Sequence, residues 1–237
     1  MSDLTGPLLM RLLAGDASGV DRVLTLGYAR GADTALIARD LITPALTEVG
    51  ELWRQGQITI AEEHLATALV GRVLTRRSAA LFAERPGAPR IVLTCLAGEF
   101  HELGIRISAD VAQEAGWEAE LLGSNVPRRD ALHYIEQRTP EAVGLSVTLT
   151  AHIAECARTI DDLRRVAPRS KILVGGLAVR HDPDLGRASG ADEVIQDAVG
   201  FKAWLIANLP KVSATPPVPP ASLPDAMRRR LSKPRAR

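Results

Sequence analysis

The first third of the chain has the hydrophobic pattern of helices. Apolar residues recur at helical spacing through residues 1–84, and no convincing strand interrupts them. The pattern predicts four or five helices with short connections, which is the arrangement of a helical bundle. The clearest segments are residues 6–15, 16–31, 33–56 and 59 to about 82.

Local signals predict where two of these helices begin. Asp33 is a suitable N-cap for the third helix, and Thr59 and Glu62 have capping-box spacing at the start of the fourth. Pro44 lies inside the third helix and lacks the amide hydrogen that a helix interior needs. We therefore expect that helix to bend or break near Pro44.

From residue 90 the pattern changes to short β-branched runs separated by helical segments. Strands are predicted at residues 90–96, 118–123, 142–147, 171–176 and 193–197. Helices are predicted around residues 104–115, 128–138, 151–166, 184–189 and 198–208. This alternation predicts a parallel sheet with helices on both faces. The expected fold class is α/β, with an N-terminal helical bundle cap and a doubly wound, five-stranded, Rossmann-like domain.

Composition divides the chain further. The predicted domains are the cap at residues 1–84 and the α/β domain at 90–209, joined by a hinge at "ERPGAPR", residues 84–90. Residues 210–237 are proline-rich and predicted to be a disordered, solvated tail. Residues 211–237 hold seven of the 29 basic residues and one of the 28 acidic ones, so the body of the chain is net acidic. The basic end could serve solubility alone or contact an acidic partner.

The overall composition is that of a water-soluble globular protein. Apolar residues make up 46% of the chain and charged residues 24%. No apolar run approaches the roughly 18 residues that a membrane span needs, and Asp3 without a basic flank makes a poor signal peptide. We therefore expect a cytoplasmic protein without membrane contact. Cys95 and Cys156 are expected to be buried free thiols.

The stretch "GEFHELG", residues 98–104, follows the first predicted strand of the sheet, where ligands of such folds bind. It offers Glu99 and His101 where a nucleotide-binding fold would carry a glycine-rich phosphate loop. A neutral imidazole is a good ligand for a transition metal, and Glu99 is placed to accept a hydrogen bond from the second ring nitrogen of His101. One histidine cannot hold a bare metal ion, but it can complete the coordination of a metal in a macrocycle. On its own, the motif also fits an ordinary hydrogen-bonded loop histidine.

With these residues, the sequence resembles the cobalamin-binding domains, whose pattern is Asp-x-His-x-x-Gly, here with glutamate in place of aspartate. The resemblance implies that His101 is the lower axial ligand of cobalt and that the nucleotide tail of the cofactor enters the sheet. It also assigns small residues at other strand ends to the space around the tail. These residues are Gly104, Ser146, Thr148, Gly175 and Gly176.

The helical half carries "WRQGQITIAEEH", in which Trp53 precedes Glu63 by ten residues and His64 follows directly. By themselves these residues indicate a half-buried aromatic side chain and a polar first helical turn. Next to a cobalamin domain, the pattern resembles the cap of the light-responsive cobalamin photoreceptors related to MerR-type repressors. The resemblance implies that Trp53 covers the upper face of the corrin beside the 5′-deoxyadenosyl group and that Glu63 contacts that group. His64 is then a second cobalt ligand after light has broken the Co–C bond.

This resemblance predicts a non-enzymatic photoreceptor that binds adenosylcobalamin and signals through self-association or a regulatory partner protein. The repressors carry a winged-helix domain before the bundle, whereas only a few residues precede the first helix here, so direct DNA binding is not expected. Cys95 and Cys156 both look internal, so neither is expected to attach a bilin covalently. Binding of a non-covalent bilin such as biliverdin remains an open alternative.

Two alternatives remain at this point. A corrinoid methyl carrier for a methyltransferase system combines the same two domains, but a histidine able to block cobalt would hinder methyl transfer. A cofactor-free interaction module would be colourless and indifferent to every cobalamin. An absorption spectrum of the purified protein separates all three.

Overall fold

The N-terminal half of the chain is helical. The computed structural model describes residues 1–78, 85 and 87–209. The helices of the first half are α1 (Ser2–Leu13), α2 (Ala17–Ala29), α3 (Thr34–Ile37), α4 (Thr43–Arg54) and α5 (Ile60–Ser78). Their buried faces carry the leucine, valine and alanine residues whose spacing predicts the helices.

The predicted helix starts are confirmed by hydrogen bonds. The side chain of Asp33 accepts from the backbone N–H of Leu36 at 2.9 Å. The backbone N–H of Thr59 donates to Glu62 Oε2 at 2.7 Å, and the N–H of Glu62 donates to Thr59 Oγ1 at 3.3 Å. These bonds satisfy amides that have no partner inside the helix. The predicted end of this helix near residue 82 lies outside the described residues.

The expected break at Pro44 takes a different form. The chain stays helical from Thr34 to Arg54 but widens into a π-helical turn over Ala38–Ile42, which Thr43 separates from the proline. Pro44 has no amide to donate to the carbonyl of Asp40. That carbonyl accepts a hydrogen bond from Thr5 Oγ1 on α1 instead, at 3.1 Å. A partner from a neighbouring helix thus allows the helix to continue through the proline.

The second half is a five-stranded parallel sheet in the order β2-β1-β3-β4-β5. Its strands are β1 (Arg90–Cys95), β2 (Glu118–Gly123), β3 (Ala142–Ser146), β4 (Lys171–Gly175) and β5 (Glu193–Val194). Its helices are α6 (Leu103–Glu114), α7 (Arg128–Arg138), α8 (Ile153–Val166), α9 (Leu177–His181), α10 (Pro183–Ala188) and α11 (Ala198–Ala207). The predicted fold class is confirmed. β5 is shorter than predicted, because Asp197 already caps α11, and the short helix α9 was not predicted.

Two apolar cores lie on opposite faces of this sheet, since alternate residues of β1 enter different cores. One core joins the bundle to the sheet and includes Leu24, Ile105 and Phe201. The other packs α7 and α8 against the sheet and includes Ile135 and Ile160. The bundle therefore covers the face of the sheet that carries α6 and α11.

Polar bonds reinforce the contact between the two halves. Thr34 donates to the carboxylate of Glu114 through its backbone N–H at 3.1 Å and its hydroxyl at 2.5 Å. Lys202 on α11 pairs with Asp33. These pairs tie the start of α3 to α6 and α11.

Two cysteines and a pair of tryptophans pack in or against the interior. Cys95 and Cys156 are free and buried, as predicted. Trp117 and Trp204 pack with ring centroids 5.9 Å apart, and the indole N–H of Trp117 donates to the carbonyl of Leu205 at 3.0 Å. Within residues 1–78, 85 and 87–209, no helix is long and apolar enough to cross a membrane. The hinge predicted at 84–90 lies only partly within the described residues, and the tail predicted at 210–237 lies outside them.

Candidate functional site

The order of the strands places a crevice at the carboxyl ends of β1 and β3. Successive connections leave β1 towards β2 on one side and continue to β3 on the other. In doubly wound sheets the loops separate at such a switch point, and ligands bind there. Residues 96–102, which contain Glu99 and His101, form the loop after β1, and residues 147–152 form the loop after β3. The two loops that the sequence analysis singled out therefore flank the same crevice.

Glu99 joins these two loops. Its side chain is only 1% exposed. Its Oε1 accepts from the backbone N–H of Thr148 at 2.8 Å, the N–H of Leu149 at 3.0 Å and Nδ1 of His152 at 2.9 Å. Burial by itself raises the pKa of this carboxyl, but hydrogen bonds from Leu149, His152 and Thr148 outweigh it, so the net pKa is lowered. Glu99 is held as a buried carboxylate.

The second oxygen of Glu99 has no hydrogen-bond partner among the described residues, although it is buried. Nδ1 of His101 lies 3.7 Å from this oxygen. This distance is too long for a hydrogen bond, so the predicted bond between Glu99 and His101 is absent. The reason is that His101 is 65% exposed, whereas the carboxylate is drawn towards the loop after β3. Oε2 is left beside His101 as an unused acceptor.

His152 is the site residue that sequence reasoning undervalued. A histidine at the start of a helix is usually solvated, whereas the ring of His152 is hydrogen-bonded to Glu99. Asn125, in the loop after β2, was not considered. Its Oδ1 accepts from the N–H of Gly98 at 2.9 Å, and its N–H donates to the carbonyl of Glu99 at 2.9 Å. The polar residues in "SNVP" and "TLTAH" were the available signal, but their pairing with Glu99 depends on the strand order.

A cavity of about 240 Å³ reaches into the fold along α6, β3 and β4. Gly104, Ser146, Gly175 and Gly176 line it, and Ala38 and Thr43 approach from the bundle. Gly176 has a φ of +104°, and a Cβ there would lie 2.3 Å from the carbonyl oxygen of Val147. Only glycine fits at that position. At Gly104, by contrast, a Cβ would meet no protein atom within 4 Å and would enter open space.

The structure separates Ser146 from Thr148. Ser146 is buried and lines the cavity. Thr148 is bound to Glu99 through its backbone N–H, and its side chain is not part of the cavity lining. A hydroxyl contact with a tail in this cavity is therefore better placed at Ser146 than at Thr148.

The candidate residues on the bundle are accessible. Trp53 lies at the end of α4 and is 47% exposed. The imidazole of His64, in the first turn of α5, is 73% exposed, and its Nδ1 lies 2.5 Å from Glu63 Oε2. Within the described ranges, no hydrogen bond joins Trp53, Glu63 or His64 to the loop after β1. Their meeting with His101 across a cofactor stays a prediction.

These features fit a cofactor that brings its own metal. The part of the chain that the structure describes contains no group of three or more histidine, cysteine or acidic side chains able to hold a metal ion. It does contain one exposed histidine backed by a buried carboxylate oxygen that has no partner among these residues, and a cavity partly lined by glycine. His101 would supply one axial ligand, Glu99 would support that imidazole, and the cavity would take an elongated tail.

The comparison with known families agrees with this site. Residues 89–208, just over half of the chain, match the B12 binding domain family, and residues 7–77 match a second family also described as a B12 binding domain. The chain therefore belongs to the B12-binding domain family and is a cobalamin-binding protein. The α/β domain and the helical half each correspond to one of these families.

Individual relatives include transcriptional repressors, methionine synthases and corrinoid proteins. The HTH-type transcriptional repressor CarH of Myxococcus xanthus is 33% identical over 144 residues, which cover 60% of this chain and 47% of CarH. The trimethylamine corrinoid protein of Methanosarcina barkeri is 22% identical over 188 residues, which cover 77% of this chain and 83% of that protein. The chain spans about half the length of the curated repressors that it matches.

A solved structure supports the fold over both halves. The monomethylamine corrinoid protein of Methanosarcina barkeri matches with a TM-score of 0.72 at 16% identity, covering 86% of this chain and 98% of that one. At this identity, the likeness shows a shared architecture of helical half and α/β domain.

Proposed function

We propose that this chain is an adenosylcobalamin-dependent photoreceptor with a signalling rather than a catalytic role. Loss of the adenosyl group in light would change how the bundle sits on the α/β domain or how copies of the chain associate. The observation that carries this proposal is the pairing of His64 with Glu63 on an exposed helical turn.

The geometry of this pair suits a second cobalt ligand. An ionised carboxylate only accepts hydrogen bonds, so a bond between Glu63 Oε2 and His64 Nδ1 places the proton on Nδ1. The other ring nitrogen, Nε2, then keeps its lone pair on an imidazole that is mostly exposed. Carboxylate-oriented histidines of this kind are typical metal ligands.

The opposite side of the site would be supplied by His101. Its ring is exposed, and Glu99 is held as a carboxylate beside it. Trp53 presents a large, half-exposed aromatic surface at the end of α4, which suits an apolar lid over a flat macrocycle. The bound cofactor would contribute a light-sensitive Co–C bond. His101 would hold the cofactor, Trp53 would cover it, and His64 would supply the second metal ligand.

The similarity to CarH supports this proposal, since that repressor is 33% identical over 144 residues, which cover 60% of this chain. The resemblance of "WRQGQITIAEEH" to the light-responsive photoreceptors supports it independently of overall identity. A regulatory partner protein or self-association would carry the signal onwards. The non-covalent bilin, such as biliverdin, gains no support from the described residues and stays a prediction of the sequence alone.

The test is an absorption spectrum of the purified chain, loaded with adenosylcobalamin in darkness and then exposed to green light. We expect a spectral change in the wild type and a product that persists in darkness. His64→Ala should still change in light but give a different, less persistent product. His133→Ala is the matched control, because His133 lies on α7 and, among the described residues, its side chain bonds only to Gln137. A spectrum that light leaves unaltered would rule out photosensing.

The second candidate is a corrinoid methyl carrier. The observation in its favour is the length of the match, which spans 83% of the trimethylamine corrinoid protein. A methyl carrier needs an open upper face, which an exposed histidine next to cobalt would obstruct. Preference for methylcobalamin over adenosylcobalamin, together with methyl transfer to a thiol in the presence of a methyltransferase, would favour this alternative.

A further inference from the structure

The cavity along α6, β3 and β4 has two levels, which the register of the sheet defines. Ser146 and Gly175 pair at the carboxyl ends of β3 and β4 and line the upper level. Leu93, Gly144 and Leu173 pair in a row two residues earlier and line the lower level. Residues two apart in a strand share a face, and each residue advances about 3.3 Å, so the lower row lies about 7 Å deeper. The cavity thus runs from the strand ends into the interior.

The lower level of the cavity is apolar. Leu93 and Leu173 are buried, and Gly144 between them has no side chain. Ile105 of α6 and Phe201 of α11 are also buried and line the same cavity. A ring that reaches this level leaves water and meets hydrocarbon, so a ring with few hydrogen-bonding groups binds there at the lowest cost.

The bundle contributes to this cavity through its π-helical turn. The backbone N–H of Thr43 donates to the carbonyl of Ala38, five residues earlier, which is the spacing of a π-helix. Two residues five apart in an α-helix point about 140° away from each other. In the wider turn, Ala38 and Thr43 both line the cavity. Ala38 is only 4% exposed, so a larger side chain there would fill cavity space or displace its neighbours.

We infer that this cavity selects the base at the end of the cofactor's nucleotide tail, and that Ala38 of the bundle limits the size of that base. Dimethylbenzimidazole, a flat ring whose substituents are methyl groups, suits the apolar lower level. Adenine is disfavoured, because its exocyclic amino group would lose water without gaining an acceptor in the row of Leu93, Gly144 and Leu173. The inference rests on entry of the tail into the cavity, but not on light sensing or on the axial ligands.

The test is a set of equilibrium titrations in darkness with three corrinoids. These are hydroxocobalamin, its analogue with adenine as the base, and diaquocobinamide, which has no nucleotide. Ala38→Leu should weaken the binding of hydroxocobalamin by about 10-fold or more, because it fills space that the base needs. The affinity for cobinamide should stay the same.

Ala38→Ser tests the chemistry of the site rather than its size. Serine adds one oxygen and offers the adenine amino group an acceptor, so the preference for hydroxocobalamin over the adenine analogue should fall about 2- to 10-fold. The cost of detaching each base from cobalt belongs to the free corrinoid and cancels when variant and wild type are compared. An unchanged preference would overturn base selection at this position.

Ala45→Leu and Ala45→Ser are the matched controls. Ala45 is buried in the same helical stretch but is not part of the cavity lining. Its variants should leave the relative affinities for the three corrinoids unchanged. Thermal unfolding of each ligand-free variant checks that the fold is intact, and Ala38→Val, which fills less space, replaces Ala38→Leu if the latter does not fold.

The three corrinoids also separate this inference from its foundation. Equal losses for hydroxocobalamin and cobinamide in Ala38→Leu would overturn the inference, since the substitution would then act through the fold. If Gly104→Ala weakens hydroxocobalamin while Ala38→Leu does not, the tail enters the cavity without reaching the bundle, and only the role of Ala38 is wrong. If neither variant affects hydroxocobalamin, the tail binds elsewhere and both assignments fail.

Discussion

Ser78 Oγ lies 2.7 Å and 2.8 Å from the two carboxylate oxygens of Asp110, in a buried contact between the last residue of α5 and the middle of α6. α5 carries His64 in its first turn, and α6 begins two residues after His101. The two helices that this hydrogen bond joins therefore begin beside the two candidate cobalt ligands. The contact links the bundle to the cofactor site through rigid elements.

Ser78→Ala should lower the free energy of unfolding by about 1–3 kcal/mol, because it leaves the buried carboxylate of Asp110 without its donor. Urea denaturation of the cofactor-free protein measures this change. Thr75→Ala is the matched control, since Thr75 is exposed on the same helix and its hydroxyl, within the part of the chain that the structure describes, bonds only to the carbonyl of Gly71. Equal effects of the two substitutions would contradict the assigned role of Ser78.

Asp110 should make stability depend on pH. Burial, the largest contribution, raises the pKa of Asp110 above the ordinary 3.8, while the hydrogen bond from Ser78 opposes it. The folded state then binds this proton more tightly than the unfolded state does, so the contribution of Asp110 to stability falls as pH rises from about 3.8 through the raised pKa. Compared with Asp110→Asn, the wild type should lose stability across that window in urea titrations. A constant difference between the two proteins would refute this.

Two glycines of the cavity should respond oppositely to alanine. Gly176→Ala should destabilise the protein by about 1–3 kcal/mol from backbone strain alone, in addition to the clash with the carbonyl of Val147. Gly104→Ala should leave the cofactor-free protein equally stable or more stable by up to about 1 kcal/mol, since a Cβ there meets open space in a helix. Thermal unfolding measures both effects.

The same Gly104→Ala variant also tests the cavity as the site of the nucleotide tail. Gly104 lines the cavity. If the added methyl group occupies space that the tail needs, cobalamin affinity should fall, whereas affinity for the tail-less cobinamide should stay the same. Unchanged affinity for cobalamin would place the tail elsewhere.

Trp53→Ala should alter cofactor binding without altering stability. The indole is already half exposed, so the free energy of unfolding without cofactor should change by no more than about 0.5 kcal/mol. If Trp53 covers the upper face, the affinity for adenosylcobalamin should fall more than that for hydroxocobalamin, which has a small upper ligand. Equilibrium titrations with the two cofactors give the comparison, and equal losses would contradict the proposed lid.

The sequence by itself determined the elements and their class. Asp33, Thr59 and Glu62 predicted helix starts correctly, because capping is decided within four residues of chain. The alternation of β-branched runs and helical segments predicted the parallel sheet, because hydrophobic periodicity is also a local property of the chain. "GEFHELG" was placed correctly at the end of β1, since a strand and the loop that follows it are adjacent in sequence.

Only the tertiary structure decided which side chains meet. Pro44 does not end its helix, because Thr5 from another helix satisfies the carbonyl that the proline leaves free. Glu99 bonds to His152 rather than to His101, although His101 is much closer in sequence. The reason is that the strand order brings the loops after β1 and β3 to one crevice. Ser78 and Asp110 likewise meet only when the bundle packs on α6. Hydrophobic periodicity and caps are local properties of the chain, whereas the partner of a buried polar group is set by packing between distant segments.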